Sequence, residues 1–84
     1  MNYPVVWTLT ATELLTDIWT GAADRQAVTD AEGRITYLLG LDPMGNGVSV
    51  SEGLYAIEVL PLRALFEMPG GRRFVRVVFV KKLP

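Results

Sequence analysis

The apolar residues of this chain change their spacing twice, and those changes decide which layers it can build. From Tyr3 to Leu9, Val5, Trp7 and Leu9 alternate with Pro4, Val6 and Thr8, the period of a strand. Leu14, Leu15, Ile18, Trp19 and Ala22 then recur at three- and four-residue steps, and a second stripe of Ala27, Val28, Ala31, Ile35, Leu38 and Leu39 does the same. From Leu54 onward the period returns to two. A helix-period stripe cannot lie flat as a strand, so the order is strand, two helices, then strands.

Local signals set the boundaries. Thr10 with Glu13 three residues later forms a capping-box pattern and predicts a first helix from Ala11 to Gly21 or Ala22. Asp24 is the expected cap of the second helix, in which Gly33 is a weak point costing about 1 kcal/mol relative to alanine. Asp42-Pro43 ends that helix, because the residue before proline is pushed out of the α region. Met44 to Gly53, rich in glycine and serine, reads as loop. Leu54 to Leu60, Leu62 to Met68 and Phe74 to Lys82 read as strands, divided by Pro61 and by Pro69-Gly70-Gly71.

The predicted fold is α+β, βααβββ, one domain over residues 1–84. The last three strands form an antiparallel meander, the first strand joins the same sheet, and the helical hairpin covers one sheet face. Leu62, Ala64, Phe66 and Met68 share the covered face of their strand, and Val75, Val77 and Phe79 are expected to do so on the last. Trp7 and Trp19 are expected as core anchors. The other sheet face stays open, with Arg63 and Arg76 as its charged members.

Charge is sorted along the sequence. Residues 1–62 hold eight acids against Arg25 and Arg34, whereas the remainder holds Arg63, Arg72, Arg73, Arg76, Lys81 and Lys82 against Glu67 alone. Such a basic end invites an anionic partner, although the net charge of −1 argues against indiscriminate nucleic-acid binding. The sequence has no cysteine and no histidine, so thiolate chemistry, the usual neutral-pH base and the commonest metal ligand are missing. No cofactor and no metal site is expected, and no uncharged run reaches the roughly 18 apolar residues of a membrane span. The expected location is cytoplasmic.

Arg63 is read either as a contact to phosphate or carboxylate or as the partner of Glu58 or Glu67 within the sheet. Arg76, mid-strand among apolar residues, needs either a fixed internal partner or a bound one. Arg72 and Arg73 read as solvated hairpin charges, and Lys81 and Lys82 as solubilising or edge-protecting charges. Leu54, Tyr55, Leu65 and Leu83 are the apolar residues expected to form a patch for a partner.

Val5-Val6-Trp7-Thr8, Asp17-Ile18-Trp19, Ala23 to Thr29, Ile35 with Leu38-Leu39, and Asp42-Pro43 followed by Gly47 resemble the first half of the RelE/ParE toxin superfamily. Pro61 to Met68 and Val75 to Val80 resemble its two central strands. The resemblance implies the toxin of a type II toxin–antitoxin, or plasmid-stabilisation, system, held inactive by a cognate antitoxin. RelE-like members are ribosome-dependent mRNA endoribonucleases, whereas ParE-like members inhibit DNA gyrase. Arg63 matches an arginine of the nucleases, but Ala56 and Glu58 stand where their lysines are expected, and no tyrosine or histidine follows Val80.

The resemblance is therefore closer to the ParE-like branch. Its implied function is protein binding, with gyrase as target and Arg63, Leu65, Arg76, Lys81, Lys82 and Leu83 as residues binding antitoxin or target. The alternatives are a nuclease using Arg63 and Arg76 as its catalytic residues, and a degenerate interaction domain without toxicity. The oligomeric state stays open.

Overall fold

Thr8, rather than Thr10, starts the first helix. In the computed structural model, which describes residues 2–84, Thr8 has extended backbone angles and its Oγ1 accepts from the Ala11 N–H at 3.1 Å. Its own N–H donates to the Val77 carbonyl at 3.0 Å. Thr8 thus closes strand β1 (Val5–Trp7) and opens helix α1 (Leu9–Gly21) in one residue, leaving Thr10 inside the helix and Leu9 outside the strand. Asp24 caps α2 (Arg25–Leu41) as expected, its Oδ1 accepting from the Ala27 N–H at 3.0 Å.

The segment expected as loop holds two further elements. Asp42 caps a single helical turn, α3 (Pro43–Asn46), by accepting from the Gly45 N–H at 3.0 Å. Strand β2 (Val48–Ser51) follows and pairs antiparallel with β3 (Leu54–Val59) through Val48–Ala56 and Ser49–Tyr55. The connection requires Gly53, whose φ of 76° lies in the left-handed region. Gly47 is required for space: a Cβ there would lie 2.5 Å from Phe66 Cζ and 2.9 Å from the Pro43 carbonyl oxygen.

Strands β4 (Leu62–Glu67) and β5 (Val75–Lys82) complete a sheet of order β1-β5-β4-β3-β2. Only the β1–β5 pair is parallel: the helices carry the chain from β1 at one edge to β2 at the other, and the antiparallel run β2 to β5 brings it back beside β1. α1 and α2 cover one face. Ala11, Val28, Ala31, Ile35 and Leu39 pack there against Ile57, Leu62, Ala64, Phe66, Val75, Val77 and Val80, with no buried polar side chain among the described residues.

Phe79 departs from the strand parity expected for it. Leu65 faces Phe79 while Phe66 faces Val77, so Val78 is an extra residue and the alternation of β5 inverts there. Val80 takes the buried place and Phe79 turns to the open face, 39% exposed. Trp7 lies on the core side, its Nε1 donating to Thr36 Oγ1 at 3.1 Å.

Trp19 is no core anchor. It is 41% exposed, because the buried stripe of α1 runs through Ala11, Leu14, Leu15 and Ile18 and leaves Trp19 at its margin. The Arg25 guanidinium lies 4.5 Å from the centre of its ring and donates to the Trp19 and Thr20 carbonyls at 3.1 and 2.9 Å. Arg25 thereby satisfies carbonyls that the end of α1 leaves without intrahelical donors.

Candidate functional site: the open sheet face

Register places the open-face residues in three rows. In the central row Phe79 of β5 faces Leu65 of β4, Leu65 faces Ala56 of β3, and Ala56 faces Val48 of β2. This makes an apolar row across four strands, in which Phe79 and Val48 are exposed, Leu65 is half-buried and Ala56 is buried. On one side of it Val6 stands beside Arg76, and Arg76 beside Glu67. On the other side Lys81 stands beside Arg63, and Arg63 beside Glu58.

Both arginines are already paired. Arg63 Nη1 donates to Glu58 Oε2 at 2.6 Å, and the Arg76 guanidinium donates to Glu67 Oε2 at 2.8 Å. Each pair bridges neighbouring strands at positions directly opposite in the ladder, where side chains of opposite charge meet without bending the backbone. The expected alternatives for Arg63 and Arg76 therefore resolve to internal partners. Among the described residues Lys81 is the cation of this face outside an ion pair.

The two guanidiniums do not converge. Glu67, opposite Arg76, lies four positions along β4 from Arg63, about 13 Å at the rise of a strand. Each guanidinium instead lies against the carboxylate opposite it, so the two are not set up as a clamp on one scissile phosphate. A hollow of ≈ 620 Å³ opens beside the Arg63–Glu58 pair, with Val48, Val50, Ala56 and Asn46 among its lining residues. Asn46 is engaged elsewhere, its Nδ2 donating to the Leu38 and Asp42 carbonyls at 3.0 Å.

Of the residues singled out in the sequence, Arg63, Leu65, Arg76 and Lys81 share the open face. Lys82 faces Leu62 in the ladder and so falls on the helix side, where it borders a second hollow with Leu60, Pro61 and Ala22. Leu83 is half-buried, its N–H donating to the Pro61 carbonyl at 2.7 Å. Tyr55, expected in the partner patch, instead stacks on Phe66 at 5.6 Å between ring centres and belongs to the covered face. Arg72 is exposed on the hairpin, as expected, while Arg73 lies over the Tyr3 ring at 4.7 Å.

Sequence reasoning missed Phe79, Val48 and the role of Glu67. The Glu58–Arg63 pair carried a signal: a two-residue connection at Leu60-Pro61 sets these two opposite each other. Phe79 carried none, because its side depends on the bulge at Val78.

No known family profile matches the sequence, and no curated protein does. Solved structures do. The chain is similar to one chain of the toxin–antitoxin complex RelBE2 from Mycobacterium tuberculosis, with TM-score 0.79, 17% identity, and 98% of this chain covering 99% of that one. It is similar to a chain of the chromosomal ParDE system from P. aeruginosa, with TM-score 0.76, 20% identity, and 98% covering 97%. A mutant of the E. coli toxin RelE in its free state matches with TM-score 0.64, 16% identity, and 98% covering 84%. At these identities the likeness is one of architecture, carried over almost the full length of this chain: it has the fold of these solved chains, the free E. coli toxin RelE among them.

Proposed function

We propose that this chain is the toxin of a type II toxin–antitoxin pair, ParE-like in acting by binding a protein, with DNA gyrase as its target and a cognate antitoxin as its inhibitor. One observation carries the choice of protein binding: the open face presents the exposed Phe79 and Val48 and the half-buried Leu65, in one row across the sheet, between two closed ion pairs. Such a surface gains little from a polyanion and much from an amphipathic protein segment, whose apolar stripe would lie on that row.

The nuclease reading lacks its chemistry here. A ribonuclease must take a proton from one oxygen and deliver one to another while stabilising charge on the phosphate. On this face the carboxylates are held by guanidiniums, the guanidiniums are held by carboxylates, and the sequence supplies no imidazole.

The test is expression of the chain alone and together with the product of the adjacent reading frame. Growth arrest is expected for the chain alone, with relief of arrest and co-purification of both products when they are expressed together. Normal growth of cells making the folded chain alone, with no complex on co-expression, would sink the toxin reading.

A further inference from the structure

We propose that Glu58 and Glu67 are specificity residues that neutralise the charge of the two guanidiniums of the open face and so exclude polyphosphate chains such as RNA from it. The inference rests on the open face being a binding surface, as proposed above, and not on which protein it binds.

Each arginine has one carboxylate directly opposite it in the ladder, on a different neighbour strand: Glu58 of β3 for Arg63 of β4, and Glu67 of β4 for Arg76 of β5. Glu58 takes a donor of Arg63 Nη1 at 2.6 Å and Glu67 takes Nε and Nη2 of Arg76 at 2.8 Å, so a phosphate approaching the remaining donors of either guanidinium meets a carboxylate beside them. A phosphate that displaced either carboxylate would be left beside it, like charge against like charge. Exposed pairs of this type add little to folding stability, so the sheet does not need them to form. Their consequence is electrostatic. The face carries Arg63, Arg76 and Lys81 against Glu58 and Glu67, a formal +1; with both carboxylates neutral it carries +3. The two pairs lie farther apart than the screening length of about 8 Å at physiological salt, so each glutamate acts on its own arginine. Released from Glu58, Arg63 would face the hollow between β2 and β4, beside the apolar surface of Val48 and Val50.

Glu→Gln keeps the size and one acceptor oxygen that the arginine can still donate to, while removing the charge, so its main effect is on charge. The measurement is fluorescence anisotropy of a labelled single-stranded RNA oligomer titrated with wild type, with the doubly substituted E58Q/E67Q, and with E13Q/D17N. The last makes the same change in net charge at two exposed positions of α1. Far-UV circular dichroism and a thermal melt establish that each is folded. At about 0.15 M salt, E58Q/E67Q is expected to bind at least about tenfold more tightly than wild type. Its dependence of log K on log salt should be steeper by about 1.4, two phosphates at about 0.7 each for a single strand. E13Q/D17N should bind like wild type. A folded E58Q/E67Q that binds no more tightly than wild type, or an equal gain in E13Q/D17N, overturns the inference. Neither outcome bears on antitoxin capture, which co-purification reads separately.

Discussion

Phe79→Ala is expected to weaken antitoxin capture by at least about 30-fold, the loss of about 2 kcal/mol typical of an aromatic hot spot. Phe79 has the largest side chain of the apolar row and is 39% exposed in the free chain, so docking a partner has apolar area left to bury there. The same partial exposure limits the damage to the fold, because little core packing is lost with the ring. Leu60→Ala is the control. Leu60 is 77% exposed, more than Phe79, but sits at the β3–β4 turn beside the helical hairpin, off the open face. If capture depends on the row rather than on exposed apolar surface in general, Leu60→Ala leaves the affinity within about twofold. Isothermal titration with the purified antitoxin reads both. Equal losses in the two variants would show that the row has no special part.

The second large effect lies in the core, where Phe66 and Gly47 share one space. Phe66 is fully buried, and Phe66→Ala should cost about 3–5 kcal/mol. That is a large share of the total stability of a small domain, and the melting temperature should fall by at least about 12 °C. Gly47→Ala should cost about 1–3 kcal/mol, because its Cβ would meet the Phe66 ring at 2.5 Å and force it to move. The two costs should not add. With the ring gone, the closest obstruction to a Cβ at position 47 is gone too, leaving the Pro43 carbonyl oxygen at 2.9 Å. In a double-mutant cycle read by urea unfolding, Gly47→Ala should therefore cost less in the Phe66→Ala background than in wild type. Additive costs would mean that the contact across β4 and the α3–β2 junction is not what fixes Gly47.

This shared space also explains where the sequence was legible. The stripes of α2 and β4 were plain in their periodicity because each meets the core along one continuous face: Val28, Ala31, Ile35 and Leu39 from α2, Leu62, Ala64 and Phe66 from β4. Asp24 and Asp42-Pro43 marked helix ends because capping and proline sterics are local. β2 was not legible. Its residues Val48, Ser49, Val50 and Ser51 are exposed throughout, so neither side contributes to the core, and glycine and serine there carry the composition of a loop. Only the long-range pairing with β3 makes it a strand.

The open face was legible in outline and mistaken in composition. Arg63, Leu65 and Arg76 lie on it as strand parity would have them, while the bulge at Val78 brings Phe79 and Lys81 onto it and tertiary register decides which carboxylate meets which arginine. Trp19 failed for a related reason. Helical spacing admits it to the buried stripe, but the width of that stripe depends on what packs against it, and Arg25 from the next helix covers the ring instead.

Whether the open face docks protein or cuts RNA is decided most directly by mapping transcript 5′ ends in cells arrested by expression of the chain alone. Growth arrest with transcripts whose ends match those of uninduced cells is the expected result. New ends within translated messages that disappear in Arg63→Ala would contradict protein docking as the basis of toxicity and make Arg63 a nuclease residue despite its pairing with Glu58.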